Sequence, residues 1–302
     1  MGVRLAAPAK VNLHLEVLGR RADGFHELVS LFQAVDLSDT LRLERTGSDG
    51  PVSVLGMPGL PPESNLVARA IEVFRRRAGV TEGVAAAIDK RIPIGAGFGG
   101  GSSDAAAALR CLQALFGSPL DGAALADCAR TLGSDVPFFL HGPAAFVEGR
   151  GERVRGIEPR LDFAIVAVTP GERVATADAY AWLDADRDAG RSPVPVISGR
   201  RAIERAYLLM APESWPFGNS FDETVMGRCA AVRAIRDRMK GAGAAAAHLT
   251  GSGSTVIAVF ARREAAAACA RALTADPPPG TVPADVRLLA PLASLGAVEY
   301  YG

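Results

Sequence analysis

The chain has 302 residues, 49% of them hydrophobic and 22% charged, a composition that excludes disordered and fibrous proteins and a length that allows two domains. Its 33 basic residues equal its 33 acidic residues, so no net positive charge drives nucleic-acid binding, and a small-molecule partner is favoured. The four cysteines include no CxxC pair, which argues against a zinc site or a disulfide scaffold.

Neither a targeting segment nor a membrane span is predicted. The N-terminal MGVRLAAPAK has no apolar stretch of signal-peptide length, so together with the scattered cysteines it favours the cytoplasm. The uncharged stretch 241–261 is long enough to cross a bilayer, but the LTGSGST within it would place hydroxyl groups and a glycine-rich turn in hydrocarbon. We therefore predict strand, loop, strand over this stretch.

The first half is predicted to begin with strands and to continue with helices. A helix in NLVARAIEVFRRRAG ends at Gly79, and a capped helix over 103–116 follows a glycine-rich loop at 95–101. Another helix is predicted over 121–132. Alternation of apolar and polar residues predicts strands in VNLHLEVLG, DTLRLER, PVSVLG and VAAAID, and a hairpin in AAFVEGRGERVRGI that turns near 149–151.

A boundary after this hairpin, at 158, divides the chain into domains 1–158 and 159–302. The second segment is predicted to contain the strands FAIVAVTP and VRLLAPL, the helices ATADAYAWLDA and REAAAACARAL with two further helical stretches, and the linker RSPVPVISGR. Strands and helices mixed without regular βαβ spacing favour an α+β enzyme of two domains.

The segment IPIGAGFGGGSSDAAAAL, 92–109, predicts a phosphate cradle. Its closely spaced glycines allow successive N–H groups to be exposed, and the following helix points its positive end at the same place. The alternative is a flexible connection between a strand and a helix. Ser102 and Ser103 can cap the helix, bind phosphate or hold a metal ion.

Two other nucleotide-binding motifs are not supported by this segment. Gly95, Gly97 and Gly100 satisfy GxGxxG, but that dinucleotide-binding fingerprint opens a βαβ unit, whereas this loop follows a long strand-rich segment. The sequence contains no GxxxxGK[ST], which excludes a P-loop at the level of the motif.

Five segments, APAKVNLHLEVLGRRADGFHEL, IPIGAGFGGGSSDAA, GSDVPFFL, GNSFDE and LTGSGSTVIAVF, together resemble the GHMP small-molecule kinases over nearly the whole chain. The resemblance implies a ribosomal-protein-S5-like N-terminal nucleotide domain and a ferredoxin-like C-terminal domain. It implies transfer of the γ-phosphoryl group of ATP, with Mg²⁺, to the 2-hydroxyl of 4-diphosphocytidyl-2-C-methyl-D-erythritol in non-mevalonate isoprenoid synthesis.

The resemblance assigns the catalytic roles to Asp135 and Lys10. Asp135 would accept the proton of the attacking hydroxyl, and Lys10 would keep that carboxylate ionised and stabilise the incipient alkoxide. The local alternatives are a helix cap for Asp135 and a solvated surface position for Lys10. Asn12 shares a strand face with Lys10 and so can reach the same substrate hydroxyls.

The substrate's cytosine is assigned to Phe25, His26 and Tyr180 by the same resemblance. Phe25 stands where the family commonly has tyrosine and keeps a stacking surface, Tyr180 closes the other face of the base, and His26 reads its edge. The alternative for His26 is an ordinary loop histidine. Gly251 and Ser252 are expected against the first glycine-rich loop and the substrate, or in a plain tight turn.

The nucleotide side is assigned to the glycine-rich loop and two flanking residues. Asn65 and Lys90 resemble positions near the adenine, although Asn65 also reads as a helix start and Lys90 as a residue flanking a strand. Ala96, Phe98 and Ser220 depart from the commoner pattern, and Phe98 is large enough to change nucleotide packing. The ATP-binding set is Asn65, Lys90, Pro93, Ile94, Gly95, Ala96, Gly97, Phe98, Gly99, Gly100, Gly101, Ser102 and Ser103.

Two other functions remain open at this point. One is a GHMP kinase acting on homoserine, mevalonate or a sugar, for which a cytosine clamp has no purpose. The other is a non-catalytic nucleotide-binding module, which needs the loop but neither Lys10 nor Asp135. His14, His141 and His248 are interpreted as structural or incidental, and the assembly as a monomer or weak homodimer.

Overall fold

The computed structural model describes residues 1–47, 50–56, 61, 64–191, 198–279, 281 and 283–302. Two sheets, each covered by helices, organise this part of the chain. No helix among the described residues is long and apolar enough to cross a membrane.

Within the described residues, the first sheet has seven strands: β1 Gly2–Arg20, β2 His26–Arg45, β3 Val52–Leu55, β4 Val84–Asp89, β5 Ala144–Gly149, β6 Arg153–Gly156 and β11 Glu299–Tyr301. Their order is β11-β1-β2-β4-β3, with a β5-β6 hairpin attached to β2. The β1–β2 hairpin is the centre of the sheet, since its long strands carry the apolar residues predicted from the alternation of the sequence.

Four helices accompany this sheet: α1 Leu66–Ala78, α2 Gly100–Leu115, α3 Gly122–Leu132 and α4 Phe138–His141. In α2 the small side chains of 105–108 are buried, which lets the helix backbone approach β1 and β2 closely. Gly79, with φ 68°, ends α1 in the left-handed conformation, as predicted.

The second sheet is antiparallel in the order β10-β7-β9-β8. Its strands are β7 Ala164–Pro170, β8 Ala246–Leu249, β9 Val256–Phe260 and β10 Pro283–Leu289. Its helices are α5 Thr176–Asp188, α6 Arg200–Leu209, α7 Asp222–Met226, α8 Ala230–Gly241 and α9 Arg263–Ala275. The strand, loop, strand prediction for 241–261 is confirmed by β8 and β9, with Gly241 still in α8.

The division of the chain at 158 stays a prediction. The chain passes from the first sheet to the second between Gly156 and Ala164. The last strand, β11, nevertheless returns to the first sheet and pairs with β1, where Val3 lies opposite Tyr300. The predicted linker at 191–200 falls mainly on 192–197, which lies outside the described residues.

Candidate active site

The first glycine-rich loop, 93–99, connects β4 to α2. Gly95, Gly97 and Gly99 have φ values of 71°, 82° and 69°, in the left-handed region that favours glycine. A Cβ atom on Gly97 would lie 2.3 Å from the carbonyl oxygen of Thr250, so the close approach requires glycine there. The loop therefore packs against the LTGSGST segment near the other end of the sequence.

The start of α2 differs from the prediction. The helix begins at Gly100 rather than Ser103, and its N-cap is Gly99 without a side-chain cap, so the capping alternative for Ser102 and Ser103 is wrong. Because first-turn N–H groups have no intrahelical acceptor and lie at the positive end of the helix, this turn can bind phosphate oxygens. Ser102 is half-buried, whereas Ser103 is buried and its Oγ has no partner among the described residues.

Lys90 joins the two ends of the loop. Its Nζ donates to Asp39 and, at 2.8 Å, to Asp104, the fifth residue of α2. Asp39 also accepts hydrogen bonds from the backbone N–H groups of Arg91 and Ile92, 2.6 and 2.9 Å away. Burial and the charge of Asp39 raise the pKa of Asp104 although Lys90 opposes the shift. This ionic cluster sets the span of the loop.

Three residues of the nucleotide set have structural roles. Asn65 is buried and its Oδ1 caps α1 by accepting from Val67 N, 2.9 Å away. The side chains of Ala96 and Phe98 lie in the hydrophobic core, with Phe98 only 1% exposed. The larger ring is therefore accommodated in the core, and the effect of Phe98 on nucleotide packing stays a prediction. The contacts of Asn65 and Lys90 with adenine stay predictions.

A cavity of about 1020 Å³ is lined by residues from both halves of the chain. It brings together all predicted catalytic and acceptor-side residues and part of the glycine-rich loop. A second cavity of about 380 Å³ is lined by the other part of that loop, 93–96. The predicted residues that line the larger cavity are Lys10, Asn12, Phe25, His26, Gly97, Gly99, Asp135, Tyr180, Gly251 and Ser252.

Lys10 and Asp135 form an ion pair on the cavity wall. Lys10 Nζ lies 3.5 Å from Asp135 Oδ2 and 4.5 Å from the centre of the Phe32 ring. The Lys10 side chain is 4% exposed and that of Asp135 32% exposed. Both local alternatives are wrong, because Lys10 is buried and the N-cap of α4 is Pro137 rather than Asp135. Asp135 presents a carboxylate to the cavity, with a buried ammonium group behind it.

Asn12 holds the Lys10 ammonium group. Its Oδ1 accepts from Lys10 Nζ at 2.8 Å, from Gly251 N at 2.8 Å and from Thr250 Oγ at 3.1 Å. Its Nδ2 donates to Ser30 Oγ at 2.9 Å. The prediction that Asn12 shares a face with Lys10 is confirmed, and the side chain is engaged by protein groups. Direct contact of Asn12 with substrate hydroxyls stays a prediction.

The predicted cytosine residues are grouped differently from the expected clamp. The rings of His26 and Tyr180 stack with centroids 4.4 Å apart, and His26 Nε2 lies 2.8 Å from Asp184 Oδ1. Phe25 is 54% exposed and carries the guanidinium group of Arg150 at 4.6 Å from its ring centre. Burial, with the charges of two nearby carboxylates, raises the pKa of Tyr180 to about 12, so its hydroxyl group keeps its proton at neutral pH.

Sequence reasoning missed four residues that shape these sites: Asp39, Asp104, Arg150 and Asp184. Asp104 left a weak signal, because an acid directly precedes the apolar run 105–109, whereas Asp39 left none, since it lies among other polar residues in DLSDTLR. Asp184 and Arg150 left none, since an acid in a polar helix and an arginine in a hairpin turn are common surface residues.

Comparison with known proteins gives the class. The GHMP kinases N terminal domain family matches residues 65–143, and the GHMP kinases C terminal family matches residues 209–278. A homoserine kinase from Cytophaga hutchinsonii shares the fold, with a TM-score of 0.72 at 19% identity over 99% of this chain and 96% of its own. The expected fold class is confirmed: the protein is a GHMP kinase, an ATP-dependent phosphotransferase.

Closer relatives narrow the class. A 4-diphosphocytidyl-2-C-methyl-D-erythritol kinase of Anaeromyxobacter sp. is 45% identical over 88% of this chain and 83% of its own, and one of Burkholderia mallei is 40% identical over 84% of each. A crystal structure of 4-(cytidine 5'-diphospho)-2C-methyl-D-erythritol kinase superposes with a TM-score of 0.78 at 36% identity, covering 95% of this chain and 98% of that one. The chain belongs to the 4-diphosphocytidyl-2-C-methyl-D-erythritol kinase family.

Proposed function

We propose that this protein transfers the γ-phosphoryl group of ATP to the 2-hydroxyl of 4-diphosphocytidyl-2-C-methyl-D-erythritol. The observation that carries the proposal is the larger cavity, which is lined by the Lys10–Asp135 pair, by the stacked rings of His26 and Tyr180, and by part of the glycine-rich loop. The proposed substrate has a reacting hydroxyl group at one end and a cytosine at the other. Its site therefore needs both a group that accepts the hydroxyl proton and an aromatic surface for the cytosine. The names of the relatives support the same substrate.

Asp135 is the proposed general base. Phosphoryl transfer asks little covalent chemistry of the protein, so positioning and charge stabilisation dominate. The Asp135 carboxylate accepts the proton of the acceptor hydroxyl, while the Lys10 ammonium, 3.5 Å away, stabilises the negative charge that develops on the oxygen. Burial of Lys10 strengthens this interaction, because less water screens its charge.

The proposed ATP site is the glycine-rich loop with the first turn of α2. Free N–H groups there bind phosphate oxygens. Mg²⁺ prefers oxygen ligands and keeps several waters, so one or two protein oxygens suffice beside the phosphates. The Ser103 hydroxyl, which has no hydrogen-bond partner in the described part of the chain, is one candidate oxygen, and the half-buried Ser102 hydroxyl is another. When bound, Mg²⁺ would neutralise phosphate charge.

The domain organisation and the assembly are also proposed. The chain forms domains 1–158 and 159–302, and the protein is a monomer or weak homodimer. A cytoplasmic location is supported by the free cysteines Cys111, Cys128, Cys229 and Cys269, which suit a reducing compartment.

An ADP-release assay with Mg²⁺ and ATP tests the function. Purified protein is offered 4-diphosphocytidyl-2-C-methyl-D-erythritol, homoserine, mevalonate and galactose in parallel. Turnover confined to the cytidyl compound is expected. Turnover of another alcohol would overturn the substrate proposal. Absence of turnover with all four compounds, despite ATP binding, would favour the non-catalytic alternative.

Replacement of His26 by Ala tests the cytosine assignment. The variant removes a ring that stacks on Tyr180 and is oriented by Asp184, so we expect the KM for the cytidyl acceptor to rise about tenfold while the KM for ATP changes less than about twofold. His141→Ala, an exposed histidine in α4, is the matched control. Equal effects on both KM values would count against a cytosine site at His26.

A further inference from the structure

A short turn at 218–222 is joined to β1 by backbone hydrogen bonds. Leu15 N donates to Gly218 O at 3.0 Å, and Ser220 N donates to Leu15 O at 2.9 Å. The Ser220 hydroxyl, at a departure from the common family pattern, accepts from Val17 N at 3.0 Å. The turn is thus attached to the strand that also carries the catalytic lysine.

The same turn holds the 249–251 loop, which leads from the last residue of β8 into the LTGSGST segment. Asn219 is buried, and its Nδ2 donates to both Leu249 O and Gly251 O at 2.8 Å. Asp222 Oδ1 accepts from Leu249 N at 2.8 Å, and its Oδ2 accepts from Asn219 N at 3.1 Å. Two side chains therefore hold the two residues that flank Thr250.

The 249–251 loop in turn holds Asn12. Gly251 N and Thr250 Oγ donate to Asn12 Oδ1, and Thr250 Oγ accepts from Asn12 N at 3.1 Å. Asn12 Oδ1 is also the acceptor for Lys10 Nζ. A closed ring of hydrogen bonds runs from β1 through the 218–222 turn and the 249–251 loop back to β1 at Asn12.

We propose that Asn219 and Asp222 are positioning residues for phosphoryl transfer, acting through the 249–251 loop and Asn12 to hold the Lys10 ammonium beside Asp135. The physical reason is that a lysine side chain has four rotatable bonds, so one fixed acceptor decides where its charge lies. Small misplacements of catalytic groups reduce rates steeply. The proposal rests on the proposed function for the identity of the reaction.

The variant Asn219→Asp tests this. It keeps the shape and the acceptor for Phe221 N, but it replaces two donated hydrogen bonds by a carboxylate oxygen facing the carbonyl groups of Leu249 and Gly251. We expect kcat to fall about tenfold, with the KM for ATP and for the cytidyl acceptor within about twofold of wild type. Glu223→Gln, an exposed neighbour in α7, is the control and is expected to retain kcat.

A double-mutant cycle separates positioning from general damage. In an Asn12→Ala background, Asn219→Asp is expected to lower kcat by less than about twofold, because its route to Lys10 is already broken. If Asn219→Asp fails to fold, Thr250→Val, which removes the hydroxyl that contacts Asn12, replaces it in the same cycle.

The outcomes distinguish the two proposals. Three results would overturn the positioning proposal and leave the substrate proposal intact. These are multiplicative effects on kcat in the double-mutant cycle, an unchanged kcat in Asn219→Asp, and a change confined to KM. Turnover of a different alcohol by the wild type would overturn the substrate proposal, and the cycle is then measured with that alcohol. Absence of turnover by the wild type with every acceptor would contradict both the substrate proposal and the positioning proposal.

Discussion

Replacement of Asp135 by Asn is expected to lower turnover by about 10² or more, the scale of lost general-base catalysis. The amide has the same shape as the carboxylate but cannot accept the proton of the attacking hydroxyl. ATP binding is expected to stay nearly unchanged, because Asp135 lies with the acceptor-side residues and the phosphates are assigned to α2 and its loop. Steady-state kinetics and calorimetric titration with ATP measure the two effects separately.

The control for this variant is Asp127→Asn in α3. It makes the same isosteric change at an exposed acid that pairs only with Arg130 among the described residues. Turnover of that control is expected to match wild type. Near-normal turnover of Asp135→Asn would remove Asp135 as the base and leave positioning and charge stabilisation to account for the rate.

Acidification from pH 7 to pH 5 is expected to lower the free energy of unfolding by about 2 kcal/mol through each of two buried histidines, while the buried carboxyl groups of Asp104 and Asp222, whose pKa values are raised by burial, oppose this change. Burial, with the repulsion of His248, lowers the pKa of His14 to about 3, and burial lowers the pKa of His248 to about 4. The unfolded chain binds these protons near pH 6.5 and the folded chain does not. The contribution of these two histidines to stability is therefore present above pH 6.5 and is lost as the pH falls below that value.

Urea denaturation at pH 7, 6 and 5 checks this expectation. The contribution of one histidine is a measurable part of the 5–15 kcal/mol typical of a domain, and the difference between wild type and a variant isolates it from the opposing carboxyl groups. Between pH 7 and pH 5, His248→Leu is expected to lose about 2 kcal/mol less of its free energy of unfolding than wild type does, since one buried histidine is removed, and His141→Ala, at the surface, is expected to match wild type. An undiminished pH dependence in His248→Leu would assign the acid lability to other groups.

Much of the secondary structure could be predicted because it depends on nearby residues. The alternation in β1, the periodicity of α1 with its capping Gly79, and the glycines ahead of α2 are local patterns with local physical causes. The start of α2 was misplaced because glycine has low helix propensity, and packing against the sheet outweighs that cost. Ser102 and Ser103 thus lie inside the helix rather than at its cap.

The candidate site was predictable as a set of residues but not as an arrangement. The resemblance identified Lys10, Asp135 and His26, and the structure brings them to one cavity. The partners of these residues were not predictable: Lys10 depends on Asn12, which is held by Gly251, and His26 depends on Asp184. The residues next to a single polar residue in the sequence do not indicate which distant residue will be its hydrogen-bond partner.

The sequence by itself determined the class of fold and the order of strands and helices, and it predicted the phosphate-binding loop and the catalytic pair. Only the tertiary structure decided that β11 returns to β1 and that the 249–251 loop reaches Asn12 across 239 positions of the chain. The reason is physical. Backbone preferences and hydrophobic periodicity act over a few residues, whereas contacts between distant segments exist only after the chain has packed two sheets around a shared cavity.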